Sequence, residues 1–144
     1  MYIYYSSIVI KINMNTKLDK ILAEISAGEL LDKITILEIK KVKISDKNKL
    51  IEVEKELNSL TLTFEKSIPE VSGISDLKQE LKIINSKLWD IEIGKRKCEK
   101  NKDFGKNFID LARNVYKYND QRAKIKLKIN NILNSNIKEI KSHF

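Results

Sequence analysis

The chain has 144 residues, 42% hydrophobic and 33% charged, a length that suits one domain with its own core and a composition too apolar for a disordered chain. Four glycines and one proline leave too little turn chemistry for an all-β fold, and one cysteine with one histidine, Cys98 and His143, excludes both an internal disulfide and a structural zinc site. The net charge is +8 and sits in the second half: residues 1–70 carry 11 Lys against 11 acidic residues, whereas 71–144 carry 14 Lys and 3 Arg against 9.

Residues 1–16 are aromatic, β-branched and nearly uncharged, and read as a strand or a loose extension. Met14 offers a second start position, in which case the first 13 residues are not native. The segment lacks the basic region, apolar core and cleavage site of a secretory signal, and no run of about 18 apolar residues occurs, so a cytoplasmic protein without a membrane span is expected.

Ser26-Ala27-Gly28-Glu29 fits the S-x-x-E capping box and predicts a first helix to about Ile44. Ser45-Asp46 opens a second, in which Leu50, Val53, Leu57, Leu60 and Phe64 recur at three- and four-residue spacing. Ser67 to Gly73, with Pro69, is the main break. A third helix is predicted from about Ser75 to Lys100 with the stripe Leu77, Leu81, Ile84, Leu88 and Ile91. Asn101 to Asp103 form a loop, and a fourth helix runs from Phe104 to about Asn134 with Phe108, Leu111, Val115, Tyr118, Ile125, Ile129 and Ile132 inward. Short connections force antiparallel neighbours, so residues 17–144 are expected to form a single all-α domain, an antiparallel four-helix bundle of two hairpins. Ile36 and Ile39 oppose the main stripe of helix one, which predicts burial on two faces, centrally or in a homodimer.

Function should lie where polar groups interrupt the core faces, because a charge buried without a partner is costly. Glu38 falls between Ile34 and Leu31 on helix one. Asn85, Glu92 and Glu99 border the stripe of helix three, with Trp89 and Arg96 beside it. Asn119 sits near the middle of the face of helix four, flanked by Arg113, Asp120 and Arg122. Lysine, isoleucine and asparagine are abundant, as a coding bias toward A and T produces, so the three arginines carry more information than the 25 lysines.

Three readings follow from these residues. Glu38 and Glu92 pair with Arg122, Arg113 or Arg96 in a buried network that fixes helix register; or the arginines hold a phosphate or carboxylate in a pocket where Trp89 or Tyr116 stacks on a ring; or Glu29, Asp32, Glu38 and Glu92 hold Mg²⁺. Glu29-x-x-Asp32 matches half of the paired acidic motif on which helical nucleotide pyrophosphatases gather Mg²⁺, and the second pair is missing. Phosphate loops, nucleophile elbows and dinucleotide turns are absent. Lys95, Arg96, Lys97, Lys100, Lys102 and Lys106 form a basic run, but no reader motif or aromatic platform accompanies it, so nucleic-acid binding is not favoured. Cys98, beside this run, reads as a structural thiol.

Three segments, SAGELLDKITILEIK, LWDIEIGKRKCE and FIDLARNVYKYNDQRAKIKLKIN, together resemble the uncharacterised bacterial family "domain of unknown function 6165" over about residues 20–144. The resemblance puts weight on Glu29, Asp32, Lys33, Glu38, Trp89, Glu92, Arg96, Glu99, Arg113, Tyr116, Asn119, Asp120 and Arg122, and implies a setting near surface-glycan synthesis. Ile93 departs from it where an acidic residue usually follows the glutamate. The expected function is a non-catalytic helical module that needs no cofactor and binds an anionic small molecule or a protein partner. The alternatives are an enzyme on a phosphorylated or nucleotide-sugar substrate, with Mg²⁺ only in that case, and a nucleic-acid binder using the basic second half.

Overall fold

A computed structural model describes residues 18–142. The strand or extension expected over 1–16, and His143, lie outside the described residues. Four helices follow in order, α1 (Ala27–Lys43), α2 (Lys47–Ser67), α3 (Ile74–Asn101) and α4 (Lys106–Ile132), and no strand occurs among the described residues. This is the all-α bundle that the spacing predicts.

Each start has a local cause. Ser26 caps α1 by accepting the Glu29 N–H, and Asp46 caps α2 by accepting from Asn48 and Lys49. Gly73 precedes α3 at φ +87°, a left-handed conformation that a side chain at that position would strain. The loop before α4 turns on Lys102, left-handed at φ 54°, with the Asp103 N–H closing onto the carbonyl of Cys98. Helix α4 starts at Lys106 rather than at Phe104, because the chain is still extended at Gly105, whose N–H is held by the Asp103 carboxylate at 3.1 Å.

Helix α1 is the centre of the molecule. It packs on α2, α3 and α4, while α3 and α4 pack on each other and α2 packs on α1 alone. Both apolar sides of α1 are therefore covered within one chain. Leu31, Ile74, Leu77, Leu81, Ile84, Ile125 and Ile129 form the core, with Phe64 of α2 packed against it. Each such side chain contributes about 1.5–3 kcal/mol when fully removed from water.

Helix α1 approaches α4 tightly at Gly28, where an added Cβ would stand 2.5 Å from the backbone oxygen of Lys126 and 2.9 Å from Oδ1 of Asn130. That approach lets α4 complete the α1 cap: the Gly28 N–H donates to Asn130 Oδ1 at 2.7 Å, and the Ala27 N–H donates to Ser135 Oγ at 3.1 Å. With Ser26 on Glu29 N, the N–H groups of Ala27, Gly28 and Glu29 are each bonded inside the chain.

Helix lengths decide the rest. At about 1.5 Å per residue α1 spans about 26 Å, against about 40 Å for α3 and α4. Side-chain bonds from α1 meet α3 between Lys78 and Asp90 and meet α4 between Arg122 and Asn130. Beyond these points the α3/α4 hairpin extends without α1, with Gly94 set against Leu111 and Cys98 buried near Asn107. Phe108, Leu111 and Val115, expected inward, are there only half-buried, and Ile132 is exposed past the other end of the core.

Candidate functional site

The most buried charge among the described residues is Asp32, whose side chain is 1% exposed. Because α1 is covered by the other three helices, the Asp32 carboxylate beside Leu30, Leu31 and Ile34 is shut off from solvent, and its partners come from the two helices packed over it. Arg122 of α4 donates its Nε–H to Oδ1 at 2.8 Å and an Nη2–H to Oδ2, a two-pronged pairing that fixes the guanidinium plane. Asn85 of α3 donates to the same Oδ1 at 2.8 Å and to Thr35 Oγ1 at 2.9 Å, and Thr35 in turn donates to the backbone carbonyl of Asp32 at 2.8 Å. The hydrogen bond to Asp32 raises the Arg122 pKa above its ordinary value against the opposing effect of burial, so the guanidinium stays charged.

Arg122 is 29% exposed at its side chain and stands in the wall of a half-open groove of about 820 Å³. The groove runs between the start of α1, the last turns of α4 and the irregular segment after α4, lined by Glu29, Asn119, Asp120, Lys124, Lys126 and Lys141 among others. Three of the five guanidinium N–H groups are used, the third in a long bond of 3.5 Å to Asn119 Oδ1, and two are left.

Lys126 lies deeper, 9% exposed, and donates to Glu29 at 2.6 Å and to Glu139 of the C-terminal segment. Burial pulls its pKa down, but the hydrogen bonds to Glu139 and Glu29 outweigh it and the pKa stands above 10.5. Asp120 is paired with Lys141. Of the cations lining the groove, Lys124 has no carboxylate within bonding distance among the described residues.

On its other side Arg122 borders a second, smaller cleft of about 140 Å³, walled by Ile36, Ile39, Asn85, Leu88 and Trp89. The indole N–H of Trp89 is buried and has no acceptor among the described residues.

Asn119 and Asp120 thus share a groove with Arg122 and Trp89 a cleft with it, but the others expected with them are not there. Glu38 faces α3 at the edge of the packing and binds Lys78 and Lys82, each at 2.8 Å, so its partners are lysines of α3 and not an arginine. Glu92 pairs along its own helix with Lys95 and Arg96, exposed. Arg96, Glu99, Arg113 and Tyr116 stand on the exposed surface of the part of the α3/α4 hairpin that α1 does not reach. Glu29 and Asp32, considered for Mg²⁺, spend their oxygens on Lys126, Arg122 and Asn85, and no group of three or more His, Cys, Asp or Glu is placed to hold a metal among the described residues. Lys33 is exposed.

The family model for DUF6165 matches residues 21–144. The chain belongs to this family of unknown function. No curated protein and no solved structure matches it. Within this DUF6165 chain no described helix is long and apolar enough to cross a membrane.

The sequence pattern did not single out Lys126 or Asn130, and its spacing placed Asp32 only as a metal candidate, although the family resemblance put weight on it. The signal for Asp32 was present: a helix with apolar residues on two opposed sides has little solvent face left, so its remaining polar residues are buried. Lys126 carried no such mark among 25 lysines.

Proposed function

We propose that this protein is a non-catalytic helical module that binds an anionic small molecule in the groove beside Arg122. The observation that carries the reading is the orientation of Arg122, whose guanidinium is locked edge-on by the buried Asp32 carboxylate and keeps two N–H groups for another acceptor. A guanidinium held in advance loses less freedom on binding than a loose lysine, and its fork suits phosphate or carboxylate oxygens. Four cations against three carboxylates line the groove, so the lining itself favours an anion. Glu139, from the irregular segment after α4, already places one carboxylate on Lys126. Those carboxylates, Glu29, Asp120 and Glu139, are each paired with a lysine, which leaves none of them placed as a general base.

The surface-glycan setting that the family resemblance implies makes sugar phosphates and nucleotide sugars the first compounds to test. Thermal melting of the full chain is measured with inorganic phosphate, sulfate, citrate, nucleotides and sugar phosphates against sodium chloride of equal ionic strength. A compound present at 100 times its Kd raises stability by about 2.7 kcal/mol. Stabilisation is expected to disappear in Arg122→Lys, which keeps the charge and loses the fork, and to grow in Glu139→Gln, which removes the internal competitor. If no anion exceeds the chloride control, or Arg122→Lys keeps the full effect, the reading is wrong.

A further inference from the structure

The charge excess is concentrated on one helix. Helix α4 carries seven Lys or Arg against two Asp, a net +5 of the chain's +8, whereas α2 carries four of each sign. Arg122 is paired with Asp32, Lys126 with Glu29 and Glu139, and Lys106 with Asp110, but Arg113, Lys117, Lys124 and Lys128 have no carboxylate within bonding distance among the described residues. These four and Lys106 follow one another at intervals of seven or four residues, which on a helix is a single line about 33 Å long, and each of the five is exposed.

Beside that line runs a second. Ile109, Tyr116 and Leu127 are separated by seven and eleven residues, close to two and three whole turns, so they share one side, and they are 51%, 53% and 37% exposed. Ile109 and Tyr116 lie on the part of the hairpin that α1 does not reach, and Leu127 lies at the edge of the Arg122 groove. A row of cations alone would suit any polyanion. Cations bordered by exposed aliphatic and aromatic side chains suit a surface with negative charge outside and hydrocarbon just beneath, since a phosphodiester backbone offers nothing for Ile109 to enter.

We propose that the outer face of α4 docks on an anionic lipid bilayer, with Arg113, Lys117, Lys124 and Lys128 against the headgroups and Ile109 and Tyr116 entering the interface. The contact is peripheral and borders the groove beside Arg122: Lys124 and Leu127 line that groove, whereas Arg113, Lys117, Lys128, Ile109 and Tyr116 lie outside its lining, so the variants below leave the groove intact.

Co-sedimentation of the full chain with vesicles tests it, using phosphatidylcholine alone and phosphatidylcholine with about one third phosphatidylglycerol. Binding is expected on the anionic vesicles only, weakening as sodium chloride rises from 50 to 300 mM, since surface charge is screened over a Debye length. Arg113→Glu with Lys117→Glu and Lys128→Glu is expected to lower partitioning by about 100-fold or more, at roughly fivefold per cation near an anionic surface. Reversing the exposed Lys47, Lys49 and Lys66 of α2 changes the net charge equally and is expected to cost far less. Ile109→Ser with Tyr116→Ser is expected to weaken binding several-fold, and circular dichroism confirms that each variant is folded. Equal binding to neutral vesicles, or equal loss from the α2 and α4 reversals, overturns the proposal. So does tighter binding to a 30-base-pair duplex that Ile109→Ser with Tyr116→Ser leaves unchanged, because the face would then be reading phosphates alone.

Discussion

Replacing Asp32 by asparagine alters charge and hydrogen-bonding pattern at the centre of the molecule while keeping the side chain's size. In the native protein the carboxylate accepts two N–H groups from Arg122 and one from Asn85, all converging on a group that is 1% exposed. An amide at that place presents one oxygen and one NH₂, so at least one donor of Arg122 or Asn85 faces another donor. Breaking one partner of a buried ion pair costs about 3–5 kcal/mol. Arg122 is 29% exposed and can turn toward groove water, which places this case at the lower end, about 3 kcal/mol. At roughly 3 °C per kcal/mol for a chain of this size, the melting temperature falls by about 10 °C. Urea unfolding followed by far-ultraviolet circular dichroism measures the difference, and a cycle with Arg122→Met isolates the pair, the second substitution then costing about 2 kcal/mol less than it does alone. A loss for Asp32→Asn below about 0.5 kcal/mol, or strict additivity with Arg122→Met, would mean that α1 is not held to α4 by this pair.

Gly28→Ala improves helix propensity by about 1 kcal/mol and yet is expected to destabilise by about 1–3 kcal/mol net, because the new Cβ would stand 2.5 Å from a backbone oxygen of α4; a thermal melt showing a stabilised variant refutes the close approach. For Glu38, burial raises the carboxyl pKa, but the hydrogen bonds from Lys78 and Lys82 outweigh it and the folded value lies below the ordinary 4.5. The stability that this group contributes is therefore present above pH 4.5 and is lost as pH falls through the lower folded value. Urea unfolding from pH 7 to pH 3 is expected to show Glu38→Gln weaker than the native protein at neutral pH and indistinguishable from it in acid, and a pH-independent gap would contradict the pairing.

Helix positions were legible because their causes are local. Ser26 and Asp46 cap the helices they precede, the Pro69 to Gly73 segment breaks the chain where it was expected to, and the Leu77, Leu81 and Ile84 stripe is buried as its spacing predicts. Even within the capping box, though, only the serine half acts locally, since the Glu29 carboxylate reaches across to Lys126. Periodicity gives the face a residue occupies and not the partner it meets, which is why Glu38 was set beside arginines and proved to face Lys78 and Lys82.

The sequence by itself determined the all-α class, the approximate places of four helices, the place of the excess charge and the family, all set by signals within a few residues or by extended similarity. Tertiary structure decided the site. Helix α1 is short and sits between three longer helices, so Asp32 loses solvent and takes Arg122, 90 residues away, while Arg96 and Arg113 fall beyond the end of α1 and never meet it. A buried charge is matched by whatever cation the packing brings within reach, and that is fixed by helix length and crossing, which no local pattern of residues encodes.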